Sequence, residues 1–149
     1  MGDDQPTVFT RIIDGELPGR FVWRDDRVVA FLTIEPIRAG HTLVVPVTPV
    51  DQWTDLDDQT WAAVSRVSQV VARGLLDAFA PARVGSIIAG MEVPHCHVHL
   101  VPIDSESELS FALATGGVGA GAPEALDDAA ERIRVALRAQ GHGASVPDA

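Results

Sequence analysis

The sequence of 149 residues contains a single cysteine, Cys96. One cysteine cannot form an internal disulfide, and such sparse use is typical of reducing compartments. No apolar run approaches the roughly 18 residues that a membrane-spanning helix needs, and the N-terminal stretch MGDDQPTVF lacks the apolar segment of a secretory signal. These absences predict a cytoplasmic protein that does not cross a membrane.

Basic residues are scarce as well, with 11 Lys and Arg against 21 Asp and Glu and a net charge of −10. Binding to nucleic-acid polymers or to anionic lipid relies on basic side chains that neutralise phosphates. The sequence has no basic cluster, so we expect neither a nucleic-acid polymer nor a membrane surface as partner. A small anionic ligand remains open if the site itself supplies positive charge.

The predicted elements follow the order α, β, β, β, α, β, β, α, which is typical of an α+β fold. A short helix begins after a possible N-cap at Thr7. FVW, RVVAFLTI and GHTLVVPV read as three short strands, and GSIIAG and VPHCHVHLVPI as two more. We expect these five strands to form an antiparallel meander within one domain spanning 1–149.

Two longer helices complete the prediction. Apolar residues recur every three to four positions over about 57–79, and Asp55 or Asp57 can cap that helix. A C-terminal helix is expected from about 123 to 140. The tail GHGASVPDA reads as disordered, with His142 in solvent.

The stretch MEVPHCHVHLVP holds three of the five histidines of the chain at alternate positions: His95, His97 and His99. Side chains alternate between the two faces of a strand, so three imidazoles are expected on one face. Cys96, Val98 and Leu100 then point to the core on the other face. Three imidazoles repel one another when protonated and lose hydration when buried, so such a face needs a reason.

The residues alone leave three interpretations open. The histidines are half-exposed polar strand residues, or they are ligands of a metal such as zinc. The third interpretation is nucleophilic and acid–base chemistry on phosphate, because neutral imidazole is a good nucleophile near pH 7. In that case the second ring nitrogen must be held so that the attacking nitrogen keeps its lone pair.

The segment HCHVHLV resembles the histidine-triad motif of the HIT superfamily. PGRFVWRDDRVVAFLTIEPIRAGHTLVVP is similar to the N-terminal hairpin of that family, and VFTRIIDGELP to its opening helix. The similarity covers about residues 7–105, which leaves a variable C-terminal segment at 106–149. The resemblance implies an HIT-like fold and a protein that binds nucleotides and cleaves a bond at the α-phosphorus.

The resemblance also implies residue roles. His97 would be the nucleophile that forms a nucleotidyl-histidine intermediate, and His99 would contact the phosphate and help to move a proton. His95 would orient His97, and His41 would stand near the triad. The nucleoside pocket would be formed by Val8, Phe9, Ile12, Phe31, Thr33 and Ile34, with simple core packing as the competing interpretation of the apolar members. The loop that meets the phosphates would be Gly90, Met91, Glu92 and Val93.

The implied activity is metal-independent hydrolysis of purine nucleoside phosphoramidates or related adenylates, by a homodimer that needs no cofactor. The ligand would be an AMP-like or GMP-like purine nucleotide. The alternative is a dimeric nucleotide-binding scaffold or sensor with little turnover.

Several positions depart from the family pattern. Thr33 stands where relatives commonly have an aspartate that binds both ribose hydroxyls, so sugar preference is in question. Glu92 replaces a serine or threonine that donates to phosphate: it turns away, or it is protonated, or it receives a cationic leaving group, which would favour amines. GSIIAGMEV has no asparagine to contact phosphate. Thr7, Thr10 and Pro49 replace the Cys, Cys and His that hold a structural zinc in some relatives, so we expect no metal site.

Overall fold

The computed structural model describes residues 5–149, so the prediction for the first residues of the chain lies in part outside the described residues. The helices are α1 (Val8–Ile13), α2 (Asp58–Phe79) and α3 (Pro123–Ala139). The strands are β1 (Phe21–Arg24), β2 (Val28–Leu32), β3 (Thr42–Pro46), β4 (Arg83–Ile87) and β5 (Val98–Ile103). The predicted α+β fold and its element order are confirmed.

All four strand pairs are antiparallel, and the order across the sheet is β1-β2-β3-β5-β4. The first three strands form a meander, as expected. The last two depart from it, because β5 inserts between β3 and β4 and leaves β4 at the edge. The connection from β3 to β4 contains α2 and passes over the sheet to its far edge. The chain then returns from β4 so that β5 pairs with β3.

The central strands show why both faces of the sheet are covered. Every residue of β2 is buried. Val28, Ala30 and Leu32 pack into the core that the sheet forms with α2 and α3, whereas Val29 and Phe31 join a second cluster on the opposite face. This two-residue alternation follows from the pleat of the strand. The second cluster includes Phe9 of α1 and lies beside the histidines.

Helix α2 begins at its N-cap Asp57, whose side chain accepts a hydrogen bond of 2.7 Å from the backbone N–H of Thr60. Asp57 rather than Asp55 is therefore the cap, and such caps stabilise a helix by about 1 kcal/mol. The predicted apolar stripe faces the sheet, with Val64, Val71 and Leu75 fully buried. Within residues 5–149, none of the helices has both the length and the apolar character required to span a membrane.

The prediction of a disordered, solvated tail is wrong. Val146 is buried in the core formed by the sheet with α2 and α3. Arg138 donates from its guanidinium to the carbonyl of Pro147 at 3.1 Å. The His142 ring is half-buried and packs edge-on against Trp23 at 5.7 Å between centroids. A single apolar residue anchors this polar segment, so composition gave no sign of its order.

Candidate active site

A tight turn places His41 at the entrance to β3. Gly40 has φ +94, a conformation that L side chains rarely adopt, and an added Cβ would lie 2.7 Å from the ring of Phe79. His41 follows directly and is 2% exposed. The Ile37 backbone N–H donates to Nδ1 of His41 at 3.0 Å, so the turn itself holds the imidazole.

The three histidines of the motif do not all lie on a strand. His99 belongs to β5, whereas His95 and His97 precede its first residue, Val98. This corrects the expectation that one strand carries all three. The rings of His97 and His99 do lie side by side, with centroids 4.8 Å apart. On the other face, Val98 and Leu100 pack into the core as predicted, and Cys96 is 2% exposed.

Both ring nitrogens of His95 have partners. Nε2 lies 2.7 Å from the Pro46 carbonyl and Nδ1 lies 2.7 Å from the Thr7 hydroxyl. A carbonyl oxygen only accepts hydrogen bonds, so the proton is on Nε2. The ring is fully buried, and burial lowers its pKa despite the opposing effect of the Pro46 carbonyl. His95 is therefore a neutral, fixed side chain.

His97 has its proton on the other nitrogen. Nδ1 lies 2.7 Å from the backbone carbonyl of His95, which requires that Nδ1 donates. Burial lowers the pKa of His97, whereas the His95 carbonyl and the charge of Glu92 act in the opposite direction. The neutral ring then carries a lone pair on Nε2, as a nucleophile requires.

His41 and His99 form a hydrogen-bonded pair with defined tautomers. Since His41 accepts from Ile37 at Nδ1, its own proton is on Nε2, which lies 2.9 Å from Nδ1 of His99. His99 must accept at Nδ1 and therefore carries its proton on Nε2. The chain from Ile37 to His99 thus fixes His99 as a neutral ring with a donor at Nε2.

The low pKa values of this pair agree with the hydrogen bonds. Burial, with the charges of His99 and His97, lowers the pKa of His41 to about 3. Burial, with the charge of His97, lowers the pKa of His99 to about 4. At neutral pH the site therefore presents uncharged imidazoles, and positive charge develops only when a substrate or an intermediate induces it.

Apolar side chains flank the histidines on one side. Phe9 packs edge-on against His97 at 4.9 Å and against Phe31 at 5.5 Å between centroids. Phe9 and Phe31 are buried, and Ile12 packs against the same cluster, so all three side chains take part in core packing. Val8 and Ile34 differ, because their side chains are exposed.

The loop before the triad holds the remaining predicted positions. Gly90 has φ +76, Met91 is 91% exposed and Glu92 is exposed. Val93 instead packs against the cluster that contains Phe9. At the opposite rim, the half-buried Thr33 accepts the backbone N–H of Glu35 at 3.1 Å through its hydroxyl oxygen, which leaves its proton free to donate.

Phe111 and Thr7 each contact a histidine, and neither contact was predicted. Phe111, from the segment after β5, packs edge-on against His99 at 4.8 Å and is 45% exposed. Thr7 contacts His95 from 88 positions away in the chain. Neither has a local sequence signal, because each depends on how distant segments meet.

Among residues 5–149, no cluster of at least three His, Cys, Asp or Glu side chains is arranged to hold a metal ion.

A family model described as the HIT domain matches residues 14–106. Among curated proteins, an uncharacterised HIT-like protein of Methanocaldococcus jannaschii is 33% identical over 99 residues, which is 64% of this chain and 77% of that protein. An uncharacterised HIT-like protein of Mycobacterium tuberculosis is 34% identical over 112 residues, 72% of this chain and 78% of its own.

Solved structures show the same similarity. A hypothetical histidine triad nucleotide-binding protein from Sulfolobus tokodaii aligns with a TM-score of 0.77 at 27% identity, covering 89% of this chain and 92% of that one. A zinc-bound histidine triad family protein from Mycobacterium smegmatis aligns with a TM-score of 0.76 at 28% identity, covering 93% and 96%.

Proposed function

We propose that this chain, which belongs to the HIT family, is a nucleotide-binding hydrolase that acts on purine nucleoside phosphoramidates or related adenylates through a nucleotidyl-histidine intermediate on His97. The observation that carries the proposal is the hydrogen bond of 2.7 Å between Nδ1 of His97 and the His95 carbonyl. It leaves the lone pair of Nε2 available to attack phosphorus. The structural similarity to a protein named as nucleotide-binding supports a nucleotide as the ligand.

The reaction proceeds in two displacements. Nε2 of His97 forms a bond to the α-phosphorus as the bond to the leaving nitrogen breaks, and that nitrogen leaves as an amine after taking a proton from solvent. His97 keeps its Nδ1 proton, so the intermediate is a cationic nucleotidyl-imidazolium that the His95 carbonyl stabilises. Water then attacks phosphorus as the bond to Nε2 breaks and gives up a proton to solvent, which releases the monophosphate and restores neutral His97.

His99 and His41 support the phosphoryl group. Because His41 fixes the proton of His99 on Nε2, His99 donates a hydrogen bond from that nitrogen to a phosphoryl oxygen. Its ring lies 4.8 Å from that of His97 between centroids, which supports contact of both rings with one reacting group. The negative charge of the bound phosphate also favours a protonated His99, through which the solvent proton reaches the departing nitrogen.

The nucleoside occupies the side of the site formed by α1 and the hairpin. The exposed side chains of Val8 and Ile34 give it an apolar surface, and Phe9 and Phe31 form the wall behind it. Thr33 has one hydroxyl proton to donate to a ribose hydroxyl. The loop with Gly90, Met91, Glu92 and Val93 borders the phosphate.

Hydrolysis of an adenosine 5′-phosphoramidate with an amine leaving group, measured with excess chelator, tests this function. We expect the wild type to turn over the compound at an undiminished rate, because no step uses a metal. Nucleotide binding without turnover would instead support a dimeric scaffold or sensor. Activity that the chelator abolishes would indicate a metal-dependent hydrolase.

The charge of Glu92 bears on the leaving group. Glu92 is exposed, and its negative charge raises the pKa of the nearby His97 ring. The same charge repels additional negative charge at the phosphorus and attracts a protonated amine as it departs. An exposed ion pair contributes at most about 1 kcal/mol. We therefore expect Glu92→Gln to reduce the preference for an amine over a neutral leaving group by about threefold to fivefold, as measured by the ratio of the two kcat/KM values. Glu124→Gln, which removes the same charge from an exposed position in the first turn of α3, is the control. An unchanged ratio in Glu92→Gln would exclude this role.

We also propose that residues 1–149 act as one domain that pairs with a second copy in the cytoplasm. A groove of about 290 Å³ separates α2 from the edge strand β4, and its lining includes Trp61 and Val84. A second copy that covers the groove would bury the apolar part of this lining. A monomeric mass by light scattering at assay concentrations would contradict the pairing.

A further inference from the structure

Thr7 connects the first turn of the opening helix to the triad. It is the N-cap of α1 and is buried. Its hydroxyl oxygen lies 3.2 Å from the Thr10 backbone N–H and 2.7 Å from Nδ1 of His95. The same side chain therefore both caps a helix and contacts a histidine next to the proposed nucleophile.

The direction of the contact follows from the partners of His95. Nε2 of His95 donates to the Pro46 carbonyl, and the buried ring is neutral, so Nδ1 has only a lone pair. The Thr7 hydroxyl must then donate to Nδ1 while its oxygen accepts from Thr10. A hydroxyl can do both, whereas a methyl group in its place would leave a buried acceptor without a partner.

The position of His95 matters because the neighbouring backbone is outside the sheet. The ladder of β5 begins at Val98, so it does not hold the His95 carbonyl. That carbonyl accepts a hydrogen bond of 2.7 Å from Nδ1 of His97. Two backbone hydrogen bonds also anchor the segment, from His95 to Val93 at 2.8 Å and from Cys96 to Val50 at 2.7 Å. The side chain of His95 is the third anchor, and it is held at both ends by Thr7 and Pro46.

We propose that Thr7 is a positioning residue that acts on the nucleophile through His95: its hydroxyl fixes the His95 ring, and the His95 carbonyl fixes the tautomer and direction of His97. The inference rests on the proposed function for its kinetic effect, but the hydrogen-bonded chain exists in the protein without substrate. It assigns to α1 a part in the chemistry beyond the wall of the nucleoside pocket.

The test compares Thr7→Val, Thr7→Ser and Thr10→Val. Thr7→Val keeps the shape and removes the hydroxyl, Thr7→Ser keeps the hydroxyl, and Thr10→Val weakens the same helix cap without touching His95. We expect Thr7→Val to lower kcat about 10-fold to 100-fold with less than about a twofold change in KM. Thr7→Ser and Thr10→Val should stay close to the wild type.

Nitrogen NMR of histidine-labelled protein supplies a reading that needs no turnover. In the wild type we expect one protonated nitrogen per ring, Nε2 in His95 and Nδ1 in His97. In Thr7→Val the Nδ1 signal of His95 should lose its hydrogen-bonded shift and His97 should populate both tautomers, whereas Thr10→Val should match the wild type.

Two results would overturn the inference. One is a Thr7→Val enzyme with wild-type kcat and an unchanged His97 spectrum, which would show that the backbone anchors suffice. The other is an equal loss in Thr10→Val, which would show that only the helix cap matters. If the wild type itself lacks turnover, the proposed function fails, and the nitrogen spectra alone still decide whether Thr7 sets the His97 tautomer.

Discussion

His97→Ala should lose turnover of an adenosine 5′-phosphoramidate by at least about 1000-fold. The reason is that the variant lacks the proposed nucleophile, the ring that the His95 carbonyl orients in the wild type. Loss of a nucleophile forces water to attack phosphorus directly, and only binding and the His99 donor remain to help. Nucleotide affinity should change little, because the pocket wall remains. The measurement is kcat at saturating substrate, together with the dissociation constant of AMP.

The control for this prediction is His142→Ala, which removes a half-buried histidine that packs on Trp23 rather than on the triad. It should retain wild-type kcat. A His97→Ala enzyme with more than about a tenth of wild-type kcat would mean that His97 is not the nucleophile, since nucleophile losses are far larger.

His41→Ala should lower kcat at pH 7 by about 100-fold, because His99 is then free to place its proton on either nitrogen. In the wild type, His41 donates to Nδ1 of His99 and so keeps the donor on Nε2. Without His41, part of the population carries the His99 proton on Nδ1, and Nε2 then presents a lone pair to the phosphate. His41→Gln offers an amide N–H of similar reach and should restore a large part of the activity.

The wild type and His41→Ala should differ in the protonation of His99. The pKa of His99 is lowered to about 4, so the wild-type ring stays neutral as pH falls from 7 until it approaches that value. His41→Ala removes a donor that opposes protonation at Nδ1, so the pKa should rise toward its usual range and the ring should protonate at higher pH. An NMR titration of His99 measures this, and identical curves for wild type and His41→Ala would refute the tautomer argument.

The spacing of apolar residues predicted the strands and helices, because buried positions recur every two residues in a strand and every three to four residues in a helix. The alternation in β2 sends Val28 and Val29 to opposite faces, and the stripe of α2 faces the sheet. The order of β4 and β5 could not be read in the same way, since it depends on where a long connection crosses the sheet. The prediction for the tail failed for a related reason, because its contacts, among them the burial of Val146, are with residues distant in the chain.

The histidine motif pointed to the site, but not to its internal hydrogen bonds. The family resemblance implied that His41 stands near the triad, and the structure places its Nε2 at 2.9 Å from Nδ1 of His99. It did not reveal that His95 lies off the strand, or that Thr7 and Pro46 hold its ring. Such contacts join residues far apart in the chain, and a hydroxyl at position 7 reads only as a helix cap until the fold brings His95 to it.

The most direct test of the nucleophile is to mix the wild type with the phosphoramidate, stop the reaction in base within milliseconds, and measure the mass of the protein and of its histidine-motif peptide. Base preserves a phosphorus–nitrogen bond to imidazole. We expect one nucleotidyl group per active site, located on His97 and absent from His97→Ala. Burst release of the amine with an unmodified protein, or a nucleotidyl group on His99 or His41, would contradict the account.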